Sequence, residues 1–262
     1  MRTKRTSMAL PMSDTLRPRL AAAAVHLLMS GLIAACVAVV TLRFWYPGDI
    51  GAIAGGRQLF LLILGVDVVM GPLLTLVVFD RRKPRKELVR DLAVIAVLQL
   101  GALAYGLHTL YLARPVALVY EPGRFRVVSA NDVRIEELAE ARPEYRQLSL
   151  TGPLILGARG SKSNEERLKS FDLALKGYDL GQRPSLWQPY AESRAEALAQ
   201  SRPLDELMSR YPERRAELMA RLEALTLNPQ EARFLPMVAR DDWVALLNAQ
   251  GDIAGFAPFD GF

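Results

Sequence analysis

Residues Leu59 to Phe79 read LFLLILGVDVVMGPLLTLVVF, twenty-one positions of which fifteen are Leu, Ile, Val or Phe and only Asp67 is ionisable. As an α-helix, at about 1.5 Å of rise per residue, such a run is roughly 30 Å long, the hydrocarbon thickness of a bilayer. Each apolar residue favours insertion by about 0.3 to 0.6 kcal/mol, against a cost of about 2.5 to 3.5 kcal/mol for a central Asp. The segment therefore enters the membrane and takes its carboxylate with it. An ionisable group carried at that cost marks a functional position, so Asp67 is the first candidate.

Two further runs have spanning length, Leu20 to Leu42 and Leu92 to Leu112. The fold class expected is an integral membrane protein: three transmembrane α-helices (20–42, 59–79, 92–112) followed by an extracytoplasmic α+β domain over 113–262. Orientation follows from the basic residues. Arg2, Lys4, Arg5, Arg17 and Arg19 precede the first span, Arg81, Arg82, Lys83, Arg85, Lys86 and Arg90 crowd the loop 80–91, and the intervening loop holds only Arg43 and Arg57. Basic segments stay cytoplasmic, which places residues 1–19 and 80–91 inside and the domain outside. Residues 1–112 carry 13 Lys and Arg against six Asp and Glu, whereas 113–262 carry 20 against 22. The basic excess thus lies beside the spans, and a pI near 9.5 needs no nucleic acid to explain it. Trp45 and Tyr46, with Phe44, fit an aromatic belt at the outer interface, and Arg114 with Pro115 an anchor for the third span. Cys36 resembles a lipidation site only loosely, since VAVVTLRFW after it stays apolar, and Met8 and Met12 are alternative starts.

Past the membrane, Val116–Tyr120 and Phe125–Ser129 flank Glu121-Pro122-Gly123-Arg124 and predict a hairpin. Leu150–Leu156 adds a strand, Asn164–Lys176 a helix stopped by Gly177, and Gly157 to Gly160 a turn. Between Pro189 and Leu227 the spacing of Leu207, Tyr211, Leu218, Leu222 and Leu225 predicts two amphipathic helices broken near Pro203 and Pro212. Phe234–Val238, Trp243–Asn248 and Ile253–Phe256 predict a closing hairpin around Ala249-Gln250-Gly251-Asp252.

Helical rise puts Asp67 roughly 12 Å below the outer surface, Tyr105 roughly 10 Å, His108 6 Å, Gln99 20 Å and His26 24 Å. Tyr105 is then the best-matched partner for Asp67 and His108 the second. Asp67 reads as a structural hydrogen bond, as a polar contact for a partner's transmembrane helix, or as part of a proton or ion path. Gly65, Gly71 and Pro72 supply a small surface and a freed carbonyl near Val68, ordinary packing devices in membranes. An intramembrane aspartyl peptidase needs a second carboxylate, which no span contains. Ser30, with His26 four residues before it, lacks a nucleophile motif, and two histidines with one cysteine fall short of the usual zinc ligand set; no catalytic residue, cofactor or metal is expected.

Taken in order, HLLMSG from His26, FWYPGD from Phe44, GVDVVMGPLLTLVVFD from Gly65, DLAVIAVLQLGALAYG from Asp91 and ARPVALVYEPGRFRVV from Ala113 resemble the type IV pilin accessory proteins of the TfpX/TfpZ type. The resemblance covers residues 20 to 130 and, more loosely, 234 to 262. It implies a bacterial inner-membrane protein that aids assembly or surface display of a cognate type IV pilin, a chaperone with the pilin and other pilus assembly proteins as partners and no small-molecule substrate. Asp67, Gly71, Pro72, Gln99, Tyr105, Arg114 and Pro115 match its motif blocks. A partner-binding role for Asp67, Gly71, Pro72, Gln99 and Tyr105 is an expectation built on those matches. The competing class is a membrane sensor with a periplasmic ligand-binding domain, and a small transporter is the third.

Overall fold

The structure, a computed structural model, describes the backbone from Met12 and side chains from Leu16; Arg2, Lys4, Arg5 and Met8 lie outside the described residues. Four helices come first: α1 (Met12–Val40), the one-turn α2 (Ile50–Ile53), α3 (Gly56–Val78) and α4 (Arg85–Leu112). Three of them, α1 with its π-helical extension Thr41–Trp45, α3 and α4, are long and apolar enough to cross a membrane. The chain is thus a membrane protein with three spanning helices followed by an α+β domain. It divides into two compact units, one holding the chain up to Val40 with Leu59–Thr109, the other Thr41–Gln58 with Leu110–Phe262.

In the first unit each helix turns one face inward at a spacing of three or four residues, while the rest is apolar and uncovered. On α3 that face holds Phe60, Gly71 and Thr75, and on α4 Ile95, Leu103 and Gly106, all buried. Gly106 lies against Ile63, where a Cβ would collide. Leu28, Leu62, Val77 and Val97 are more than half exposed, the side a bilayer would solvate. Ion pairs fasten the helix ends, Arg19 to Asp80 at 3.0 Å and Lys83 to Asp91 at 2.8 Å.

The second unit is built on β1 (Pro115–Glu121), β2 (Arg124–Ser129), β3 (Leu154–Ala158), α5 (Asn164–Leu175), β4 (Trp187–Pro189), α6 (Tyr190–Gln200), β5 (Arg202–Pro203), α7 (Leu204–Arg210), α8 (Arg215–Ala224), β6 (Arg233–Val238), β7 (Trp243–Leu247) and β8 (Ile253–Ala257). The strands form one sheet ordered β4-β3-β1-β2-β6-β7-β8, with β5 paired to β6. Neighbours are antiparallel except β1 with β3 and β2 with β6, and the latter pair joins the two halves. β1 is buried along its whole length because both faces are covered. Alternation sends Leu118 and Tyr120 to one face, with Leu235, Met237, Ala245 and Tyr190 of α6. Ala117 and Val119 go to the other, under Trp187, and further along that face Phe234, Val244 and Leu246 meet Leu207 and Leu222 of α7 and α8.

Both predicted hairpins form, β1–β2 across Gly123 and β7–β8 across Gly251, each glycine at a φ of +81° that a side chain would resist. Several expectations shift. The strand predicted at 150–156 begins at Leu154, and Gly157 and Ala158, expected in a turn, end it, since Ser193 of α6 packs where a Cβ of Gly157 would stand. Three helices rather than two fill 190–224, because Pro203 opens α7 and Pro212 separates it from α8. The helix predicted over 164–176 spans Asn164–Leu175, started by Ser163, whose Oγ accepts from the Glu166 N–H at 3.1 Å.

Candidate functional site

Several polar residues of the first unit converge on one cavity of about 620 Å³ walled by α1, α3 and α4. Its lining is mostly Ala, Val, Ile and Leu, interrupted by His26 and Ser30 of α1, Asp67 and Thr75 of α3, Arg81 just after α3, and Gln99 of α4. Helical geometry explains the meeting. Thr75 is 19 residues from the start of α3 and His26 19 from Trp45, about 28 Å in each case, and His26 Nδ1 shares a 2.6 Å hydrogen bond with the Thr75 hydroxyl. Gln99 Nε2 donates to the Asp67 carbonyl oxygen at 3.0 Å. Its amide stands where a side chain on Gly71 would be, next to Pro72, which has no N–H to give to the Val68 carbonyl.

The Gly71-Pro72 notch is therefore filled from within by Gln99, and both notch residues are buried. Tyr105 goes elsewhere. It is 75% exposed, and among the described residues its hydroxyl makes no bond to Asp67. Depth alone overlooked direction: Tyr105 sits about 100° around α4 from Gly106, off the face that carries Gln99, Leu103 and Gly106. His26, set aside because its calculated depth differed from that of Asp67, lines the same cavity. α3 starts at Gly56 rather than Leu59, which lowers Asp67 by about one turn. The Asp67 side chain is half-buried, and among the described residues nothing donates to its carboxylate.

In the second unit, of the residues expected at the membrane interface, Tyr46 and Arg114 are packed into protein while Phe44 stays exposed. Tyr46 is 2% exposed, its O–H donates to the Leu110 carbonyl at 3.2 Å, and burial pushes its phenol up to about 12, with Arg114 opposing. Arg114 is 3% exposed, too buried to snorkel to headgroups. Its guanidinium lies 3.9 Å over the Tyr111 ring and donates to the carbonyls of Tyr111 at 2.6 Å and Ser149 at 3.2 Å. Trp45 meets Tyr111 edge-on at 5.6 Å. The short segment that follows goes deeper, Ile50 and Ile53 entering the core with Leu118, Tyr120 and Phe125. Arg240 N–H donates to the Ile53 carbonyl at 3.3 Å, and Asp49 pairs with Arg221. Reading 43–58 as a plain connector missed this role; the signal was Ile50 and Ile53 at helical spacing inside a loop.

Among the described residues no three His, Cys, Asp or Glu side chains gather as a metal group. What the first unit offers is an apolar recess with one carboxylate on its wall, suited to binding.

Residues 14–48 match the family described as fimbrial assembly protein FimB. Along nearly its whole length the chain is similar to the fimbrial assembly proteins of Dichelobacter nodosus serogroup E1 and serogroup I, each 35% identical over 241 residues that make up 91% of this chain and 94% of the relative. A third relative, the fimbrial assembly protein of serogroups C1 and C2, is 41% identical over 117 residues, 45% of this chain and 89% of its own. No solved structure matches. Identity at this level, sustained over nine-tenths of both chains, makes this protein a member of the fimbrial assembly protein family.

Proposed function

We propose that this protein is a non-enzymatic accessory factor of the bacterial inner membrane that promotes assembly or surface display of a cognate type IV fimbrial subunit, as members of the TfpX/TfpZ type do. The observation that carries the reading is full-length similarity to proteins named for fimbrial assembly. Those relatives are named serogroup by serogroup, which suits a factor matched to one subunit. The basic residues near the start of α1 and between α3 and α4 support a cytoplasmic side for residues 1–19 and 80–91 and a periplasmic side for the domain after residue 112. A chain so arranged addresses a membrane-held subunit twice, by its helix and by its head.

The test is deletion in a native host, with surface fimbriae counted after complementation by this chain together with the cognate subunit or a foreign one. Loss on deletion, with rescue confined to the cognate pair, is the expected result. Unchanged fimbriae would overturn the proposal and favour a sensor that works through the 80–91 loop.

A further inference from the structure

We infer that the cavity of the first unit receives one apolar helix of another membrane protein, and that this helix presents a hydrogen-bond donor to the Asp67 carboxylate. The inference rests on the proposed assembly role in naming the occupant as the membrane helix of the fimbrial subunit.

The polar groups around the cavity are not equivalent. His26 Nδ1 and the Thr75 hydroxyl bond to one another, and Gln99 spends its amide on the Asp67 carbonyl. Asp67 is the one carboxylate on the wall, half-buried with no donor among the described residues, although Ser30 and Arg81 also line the cavity. In hydrocarbon such a group is costly until something donates to it. The chain could have supplied that donor, because Tyr105 is only one face away on α4, yet Tyr105 points outward.

Shape agrees with charge. A recess of about 620 Å³ is the size of pockets that hold ligands, and its apolar walls do not favour water. Ala21, Ala22 and Ala34 of α1 and Ala96 of α4 lie along it, letting a backbone come close, as packed membrane helices do. A lipid chain could fill the volume but would leave the carboxylate without a donor. A helix carrying Ser, Thr, Asn, Gln or a basic side chain at that height meets both requirements, whereas the Gly71-Pro72 notch, already occupied by Gln99, offers a partner nothing.

The experiment uses the full chain in cells that make the fimbrial subunit of the same strain, with photoreactive benzoylphenylalanine placed singly at Val25 or Ile33 on the cavity wall, or at Leu28 or Val97 away from it. Expected are adducts with the subunit from positions 25 and 33 alone, reduced about 3- to 30-fold by Asp67→Leu, the range of one hydrogen bond between membrane helices. Ala34→Leu, which crowds the cavity and leaves Asp67 in place, gives the same loss and serves should Asp67→Leu fail to accumulate. Adducts with lipid only, adducts with a second copy of this chain, or equal yields from all four positions would overturn the inference. If both variants restore fimbriae and wall positions give no subunit adduct, the helix site falls and the assembly role stands. If deletion leaves fimbriae unchanged, the assembly role falls, while a subunit adduct confined to the wall still supports the site.

Discussion

Gly71 is bare because the amide of Gln99 occupies the space where its side chain would be. Gly71→Leu should displace Gln99 and cost about 1–3 kcal/mol by overpacking, and Gln99→Leu should lose a hydrogen bond worth about 0.6–2 kcal/mol. Since both changes strike one contact, the double variant should fall well short of their sum, measured by thermal unfolding in detergent. Nothing in either helix alone announces this pairing. A residue-level reading finds Gly71, Pro72, Asp67 and Gln99 as notable but cannot tell which of them face one another, because that depends on how two helices are rotated. In the domain, Glu166 accepts from Arg159 at 2.7 and 3.0 Å and from the Lys162 N–H, which pull its carboxyl down to about 2. A lowered folded value stabilises the fold above the ordinary 4.5, and that contribution is lost as pH falls from there toward 2. Glu166→Gln should flatten acid unfolding in that window, followed by tryptophan fluorescence.

Among elements, the 3₁₀ turn Ile135–Glu140 is tied to the turn Pro184–Leu186 by a pair with almost no exposure, Arg183 donating to Glu137 at 3.1 Å, with Ser170 and Ser185 completing the bonds. Glu137→Leu leaves the Arg183 charge buried without its partner and should cost about 3–5 kcal/mol in chemical unfolding. Adding Arg183→Met should recover most of that loss. Such a tie is unreadable in sequence, as 46 residues separate the partners. Local signals fared better. Both hairpins were legible from Pro-Gly and Gly-Asp turns between β-prone runs, and Pro203 and Pro212 marked breaks correctly even though the number of helices between them came out as three rather than two. A proline acts on its own neighbours, whereas the start of β3 and the fate of Gly157 depend on α6 packing beside them.

At the scale of the molecule, the second unit is discontinuous, its core containing Ile50 and Ile53 from a segment that precedes α3. Three spanning helices and an α+β domain were legible because hydrophobic length and strand patterning are properties of single segments. Membership of 41–58 in the domain was not, because a short loop between two apolar runs carries little pattern. Residues 110–262 made alone should therefore be looser than the same fragment with 41–58 joined in front through a flexible linker. Protease resistance compares the two, and Ile53→Ala in the full chain should cost about 2–5 kcal/mol.

This discontinuity has a consequence in time. Ile53 leaves the ribosome long before its partner Arg240, and at about 5–20 residues per second the interval is on the order of 10–40 s. During that wait α3 and α4 are made and must be threaded through the bilayer, since they lie between the two pieces of the core in the chain. A nascent protein in which only one of α3 and α4 crosses would leave Ile50 and Ile53 on one side of the membrane and the sheet on the other. The domain closes only after both helices have crossed, so its folding inspects their insertion as a pair.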